Sequence, residues 1–137
     1  MNRAPSAKIL LGHLDWNIKR LEEILKQEKS DYFRDAALQR FGFTFDMALK
    51  SLAAMAEAKG QPCFTADECF ERAANLGWLE KTDDWRDLVN SCEEMKKILK
   101  GQTPAERTGA LADAIYAKLN NHRAVFQKLY HNLSTAP

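Results

Sequence analysis

Three histidines, three cysteines and eight arginines are the side chains of this 137-residue sequence suited to acid–base, metal or anion chemistry. His13, His122 and His131 stand far apart, with no HExxH spacing and no Cys/His cluster of zinc-ligand spacing, so neither a metal site nor a cofactor is expected. Cys63, Cys69 and Cys92 are odd in number and lack a CxxC spacing, which reads as three reduced thiols in a reducing compartment. No Walker A, GxGxxG or GxSxG pattern is present, and Gly12, Gly42 and Gly109 stand alone as close-packing positions.

Arginine is more informative. Arg34 falls on the same helical side as Leu38, Phe41 and Phe45, facing inward. A guanidinium placed there must find a carboxylate or a backbone acceptor, or else face a cleft that takes a ligand. His122 lies inside an apolar stripe, where a half-buried histidine with one hydrogen-bond partner is the plain reading and a functional role the alternative. Tyr116, Arg123 and Tyr130, seven apart, make an aromatic–cationic edge that is either core packing with an arginine stem laid along it or a binding edge. Trp16 and Trp78 read as packing residues, although Trp16 is off the main stripe of its helix and could anchor an interface.

The elements that carry these residues are helices throughout. Leu11, Leu14, Ile18, Leu21 and Leu25 recur at steps of three and four, predicting a helix from about Ile9 to Lys29. Ser30-Asp31 supplies the cap of a second, from about Tyr32 to Lys59, ended by Gly60-Gln61-Pro62. That helix is apolar on two sides. Leu38, Phe41, Phe45, Leu49, Leu52 and Ala56 form one stripe, and Ala36, Phe43, Met47 and Ala54 a nearly opposite one, which suits burial against another subunit. A capping box at Thr65–Glu68 opens a short helix that stops at Gly77. Thr82-Asp83-Asp84 caps the next, ending near Gly101, and Thr103-Pro104-Ala105-Glu106 opens a final helix running to about Leu133. No segment alternates with period two over a strand's length. The expected fold is all-α: a single domain spanning residues 1–137, an antiparallel up-and-down four-helix-type bundle with one extra short helix, frayed over residues 1–8 and 134–137.

Composition narrows the function classes. The formal net charge is +1, from 20 basic and 19 acidic residues, so no bulk attraction for nucleic acid or an anionic membrane follows. No apolar run reaches the ~18 residues of a membrane span, and the N-terminal apolar run is too short for a signal peptide. A cytoplasmic protein is expected.

One stretch carries a family likeness. Arg34-Asp35-Ala36-Ala37-Leu38-Gln39-Arg40-Phe41-Gly42-Phe43-Thr44-Phe45-Asp46-Met47-Ala48-Leu49-Lys50 resembles the helix-two motif of the nucleotidyltransferase substrate-binding proteins, roughly RDAxIQRFEFTxELxWK. Phe70-x-x-Ala73-x-x-Leu76-Gly77 with Trp85 beyond it, and Ala112-Asp113-Ala114-Ile115-Tyr116, extend the likeness over most of the chain. That family is similar to the HEPN helical bundles. The resemblance implies a homodimer that associates with a separately encoded minimal nucleotidyltransferase, as in a toxin–antitoxin pair, with a nucleotide at the shared interface.

Active HEPN ribonucleases carry an R-x(4–6)-H motif. Counting from Trp85 puts Cys92 and Lys97 at those positions; counting back from Ala112 puts Lys100 and Ala105 there, with Arg107 in place of the tyrosine. No arginine in the chain has a histidine at the required spacing, and Gly42 and Leu49 replace the family's glutamate and tryptophan. RNA hydrolysis needs a general acid–base held beside a cation. The expectation is therefore a non-catalytic binding subunit, with Arg34, Gln39, Arg40 and Lys50 on the partner or nucleotide surface and Ala36, Phe43, Met47 and Ala54 at the dimer interface. The alternatives are a divergent HEPN ribonuclease using His122 or His131 and a helical adaptor with no nucleotidyltransferase link.

Overall fold

In the computed structural model, residues 6–80 and 85–136 are described, and they form six helices with no strand. These are α1 (Ala7–Leu25), α2 (Asp31–Ala58), α3 (Ala66–Asn75), α4 (Trp85–Leu99), α5 (Ala105–Tyr116) and α6 (Leu119–Ser134). The protein is an all-α helical bundle.

Local chemistry sets most of the boundaries. Ser6 and Ser30 cap α1 and α2, each hydroxyl accepting from the backbone N–H three residues on, Ile9 at 3.3 Å and Phe33 at 3.1 Å. Thr65 caps α3 by accepting from Glu68 N–H at 3.1 Å, while its hydroxyl donates to the Glu68 carboxylate at 3.2 Å. Gly60 and Gly77 sit just past α2 and α3 at φ 75° and 82°, a left-handed turn that only glycine adopts without strain.

Helix α2 is the central element and packs on all five others. Its inner stripe, Leu38, Phe41, Phe45, Ala48 and Leu52, is buried against Leu14, Ile18 and Leu21 of α1 and against the core residues of the later helices. Aromatic rings run through this core in sequence. Phe126 lies 5.9 Å from Phe41, Phe41 6.5 Å from Phe45, Phe45 5.6 Å from Phe70 and Phe70 6.2 Å from Trp85. Edge-to-face and offset pairs at such separations add to the burial of each ring. Gly42 is buried where α2 meets α4, and a Cβ there would stand 2.7 Å from the Met95 methyl carbon.

Several expectations are corrected. The long C-terminal helix is two helices: at Ala117-Lys118 the Lys118 N–H turns to the Ile115 carbonyl, an i→i−3 bond that tightens the chain. The apolar stripe nevertheless continues through Ile115, Leu119, His122, Phe126, Leu129 and Leu133, all buried. Helix α1 ends at Leu25, short of Lys29. Thr103 does not cap α5; Pro104 occupies that position, with no side-chain cap. Gly12 and Gly109 are not close-packing sites, because nothing lies within 4 Å of a Cβ built on either. The Thr82-Asp83-Asp84 cap lies outside the described residues.

The cysteine reading is overturned for two of the three. Cys63 and Cys69 form a disulfide, with Cα atoms 5.2 Å apart. The turn into α3 brings the residue before the Thr65 cap region back beside the helix's first turn, a proximity that a search for CxxC cannot find. Cys92 alone is a free thiol, buried in α4, and desolvation pushes its pKa up to about 12.

Candidate interaction surface on the first two helices

The second stripe of α2 faces outward. Phe43 is 58% exposed, and Ala36, Met47 and Ala54 are each half-buried. Helix α1 lies antiparallel beside it and adds Trp16, 56% exposed, and Ile9, 55% exposed. Between the helices runs an open groove of about 810 Å³, floored by Leu10, Met47, Ala53 and Ala54 and walled by Trp16 and Phe43. His13, Asn17, Asp46, Lys50 and Glu57 form its polar margin. Trp16 is held by Arg20, whose guanidinium carbon sits 5.2 Å from the ring centroid. Asp46 reaches Lys96 of α4 at 3.8 Å. Three of the four residues expected at a dimer interface (Phe43, Met47 and Ala54) line this groove. Ala36 lies further toward the start of α2, beside a separate cleft.

The four polar candidates are not brought together. Arg34 turns toward α5, its side chain only 12% exposed. It donates to Asp35 at 2.9 Å and Asp113 at 3.3 Å, with Asp31 at 3.5 Å. Lys29 joins the same group, 3.2 Å from Asp113. The hydrogen bond to Asp35 is the main cause that raises the Arg34 pKa, against burial, and the bonds from Lys29 and then Arg34 lower that of Asp113. Two cations face three carboxylates, so the cluster is built to tie α2 to α5 and disfavours an incoming anion.

Gln39 is exposed over a cleft of about 480 Å³ that also meets Tyr32, Leu99 and Thr108. Lys50 is exposed at the margin of the apolar groove. Arg40 is half-buried and lines a third, smaller cleft together with Arg20 of α1. Arg20 escaped the sequence reading, since on α1 it sits among charged residues that look like an ordinary solvated face.

The histidines hold different positions again. His122 is buried, its Nε2 2.9 Å from Ser91 Oγ and its ring stacked on Phe41 at 5.5 Å. His13 and His131 are exposed and more than a hundred residues apart in sequence, on α1 and α6. Arg123 bonds Gln127 at 2.8 Å and Glu22 at 3.5 Å, linking α6 to α1, and Lys29 lies 5.7 Å from the Tyr116 ring centroid. The aromatic–cationic edge is thus engaged in contacts within the chain. Trp78 is a packing residue, 6% exposed, whereas Trp16 is not. Among the described residues no group of three or more His, Cys, Asp or Glu could hold a metal ion, and no helix is long and apolar enough to cross a membrane.

No protein-family model and no curated protein matches the chain. The chain is similar to a protein of solved structure from Thermus thermophilus, at 24% identity and a TM-score of 0.69, over 88% of this chain and 98% of that one. That likeness establishes the class, an all-α helical bundle.

Proposed function

We propose that this chain is a non-catalytic binding subunit: a homodimer that docks a separately encoded minimal nucleotidyltransferase, with a nucleotide at the shared interface. The observation that carries the reading is the open apolar groove between α1 and α2, on the helix that bears the family-like motif. Its walls, Trp16 and Phe43, each leave more than half of a large apolar side chain in water. Aromatic residues of this kind, rimmed by polar ones, are what an interface core is made of.

The motif divides its labour along α2. Phe41 and Phe45 hold the helix in the core, and Arg34 is engaged with carboxylates of its own chain. Phe43, Met47 and Ala54 face the second copy. Gln39, Arg40 and Lys50 remain for the nucleotidyltransferase or its nucleotide, on a rigid helix that can position them. Buried His122, stacked on Phe41 and bonded to Ser91, speaks against that histidine as the general acid–base of a ribonuclease, because such a group must reach substrate; exposed His131 has no arginine at the motif spacing.

The test is co-purification and titration with a minimal nucleotidyltransferase carrying a GSx(10)DxD pattern and encoded beside this chain. A stable complex is expected, weakened by about 1 kcal/mol or more in Arg40→Ala or Lys50→Ala with melting unchanged. Absence of any complex at micromolar concentrations would leave the adaptor reading in its place.

A further inference from the structure

We infer that Arg20 of α1 and Arg40 of α2 form a binding site for a phosphate-class oxyanion. The inference concerns this chain alone and does not rest on the nucleotidyltransferase reading.

Arg20 and Arg40 line one cleft of about 150 Å³, near the α1–α2 turn, together with Glu23, Ile24, Gln27 and Phe33. Arg20 is pre-positioned: Trp16 supports its guanidinium, and one of its terminal nitrogens donates to Glu23 at 2.5 Å. Its Nε is enclosed by the protein, out of reach of a ligand in the cleft, and helps to fix the group in place. Arg40 has no carboxylate within ion-pair distance among the described residues. Its backbone is fixed, however. The Arg40 carbonyl accepts from Thr44 Oγ1 at 2.7 Å, and the same buried hydroxyl lies 3.3 Å from the Asn17 carbonyl of α1. That shared contact locks the crossing of the two helices close to both arginines.

Charge is the deciding feature. At Arg34 every cation is answered by carboxylates. Here two guanidinium groups meet one carboxylate, so the cleft carries a net positive charge that an anion would neutralise. Arginine forks bind a tetrahedral oxyanion through paired, charge-assisted hydrogen bonds, and Gln27 adds an amide donor. Glu23 is 59% exposed and three residues from Arg20 on one helix, free to swing outward as an anion enters. The cleft is small and open to solvent, a size suited to a single phosphate group. The anion is then either free phosphate or the phosphoryl end of a larger molecule lying outside.

Calorimetric titration of the isolated chain at low salt, with inorganic phosphate and separately with adenosine monophosphate, tests the site. Inorganic phosphate should bind saturably, and Arg20→Ala and Arg40→Ala should each weaken it about tenfold or more. Arg40→Lys should weaken it severalfold, since lysine keeps the charge and loses the fork. Lys97→Ala on α4 should bind as the parent does, and melting curves should place all variants in the folded state. Tighter binding of the monophosphate than of phosphate would assign the site to a phosphoryl end; equal binding would assign it to the free ion. No saturable heat with phosphate up to about 10 mM, or arginine variants that bind as the parent does, would overturn the inference. Either failure would leave complex formation with a nucleotidyltransferase untouched, since that measurement uses a second protein.

Discussion

Replacing Phe43 with aspartate separates a dimer face from an ordinary exposed ring. Phe43 is 58% exposed in the single chain, so that fraction of its burial energy is still to be gained. Fully burying a phenylalanine is worth roughly 1.5–3 kcal/mol, which leaves about 1–2 kcal/mol for the exposed part. A two-fold interface contains the residue twice. The loss is then about 2–3.5 kcal/mol per dimer, before the carboxylate's own desolvation is added. At 1.4 kcal/mol per factor of ten, the dimer dissociation constant should rise by roughly 30- to 300-fold. Sedimentation or light scattering over a concentration series would read that shift directly. The monomer should be nearly indifferent, with stability changed by no more than about 0.5 kcal/mol, because an exposed helix position carries little of the core. A parent protein that is monomeric at tens of micromolar would refute the reasoning. So would a Phe43→Asp variant whose dimer midpoint moves less than threefold.

Two further outcomes follow from the core. The Cys63→Ser/Cys69→Ser double variant removes a cross-link between residues six apart in sequence, which should cost about 2 kcal/mol in the chain-entropy account and lower Tm by roughly 7 °C. Alkylation of the native, unreduced protein should modify neither sulfur, and modification of both would show the pair to be reduced. Gly42→Glu places a carboxylate at a position buried against Met95. It should destabilise by about 3 kcal/mol or more, from overpacking and an unpaired buried carboxylate, as read by denaturant melts. Met95→Ala should relieve part of that loss, and an unperturbed Gly42→Glu melt would remove the packing account of Gly42.

Most of the fold was legible because helix periodicity and helix caps are local. The α2 inner stripe, the Ser30 and Thr65 caps and the glycines after α2 and α3 each depend on residues within a turn of one another. The split between α5 and α6 was not legible: no glycine or proline marks Ala117-Lys118, and the apolar stripe runs through the break without a change of phase. The candidate surface was half legible. Two opposed apolar stripes on α2 marked out Phe43 and Met47, which line the groove, but Trp16 joins them only because α1 packs alongside.

By itself, then, the sequence determined what short-range chemistry determines: most of the helical elements, the capped starts of α2 and α3, their inward faces, and a second apolar stripe on the longest. Tertiary structure decided which charges meet. Arg34 and Arg40 are alike in type, and helix geometry alone turns them roughly 120° apart, but it does not say what each one meets. One is answered by Asp35 and by Asp113 of α5; the other opens beside Arg20 of α1. The Cys63–Cys69 pairing likewise depends on the path of a turn. Coulomb interactions and covalent cross-links act through space, and the distances that govern them are set by the packing of helices far apart in the chain.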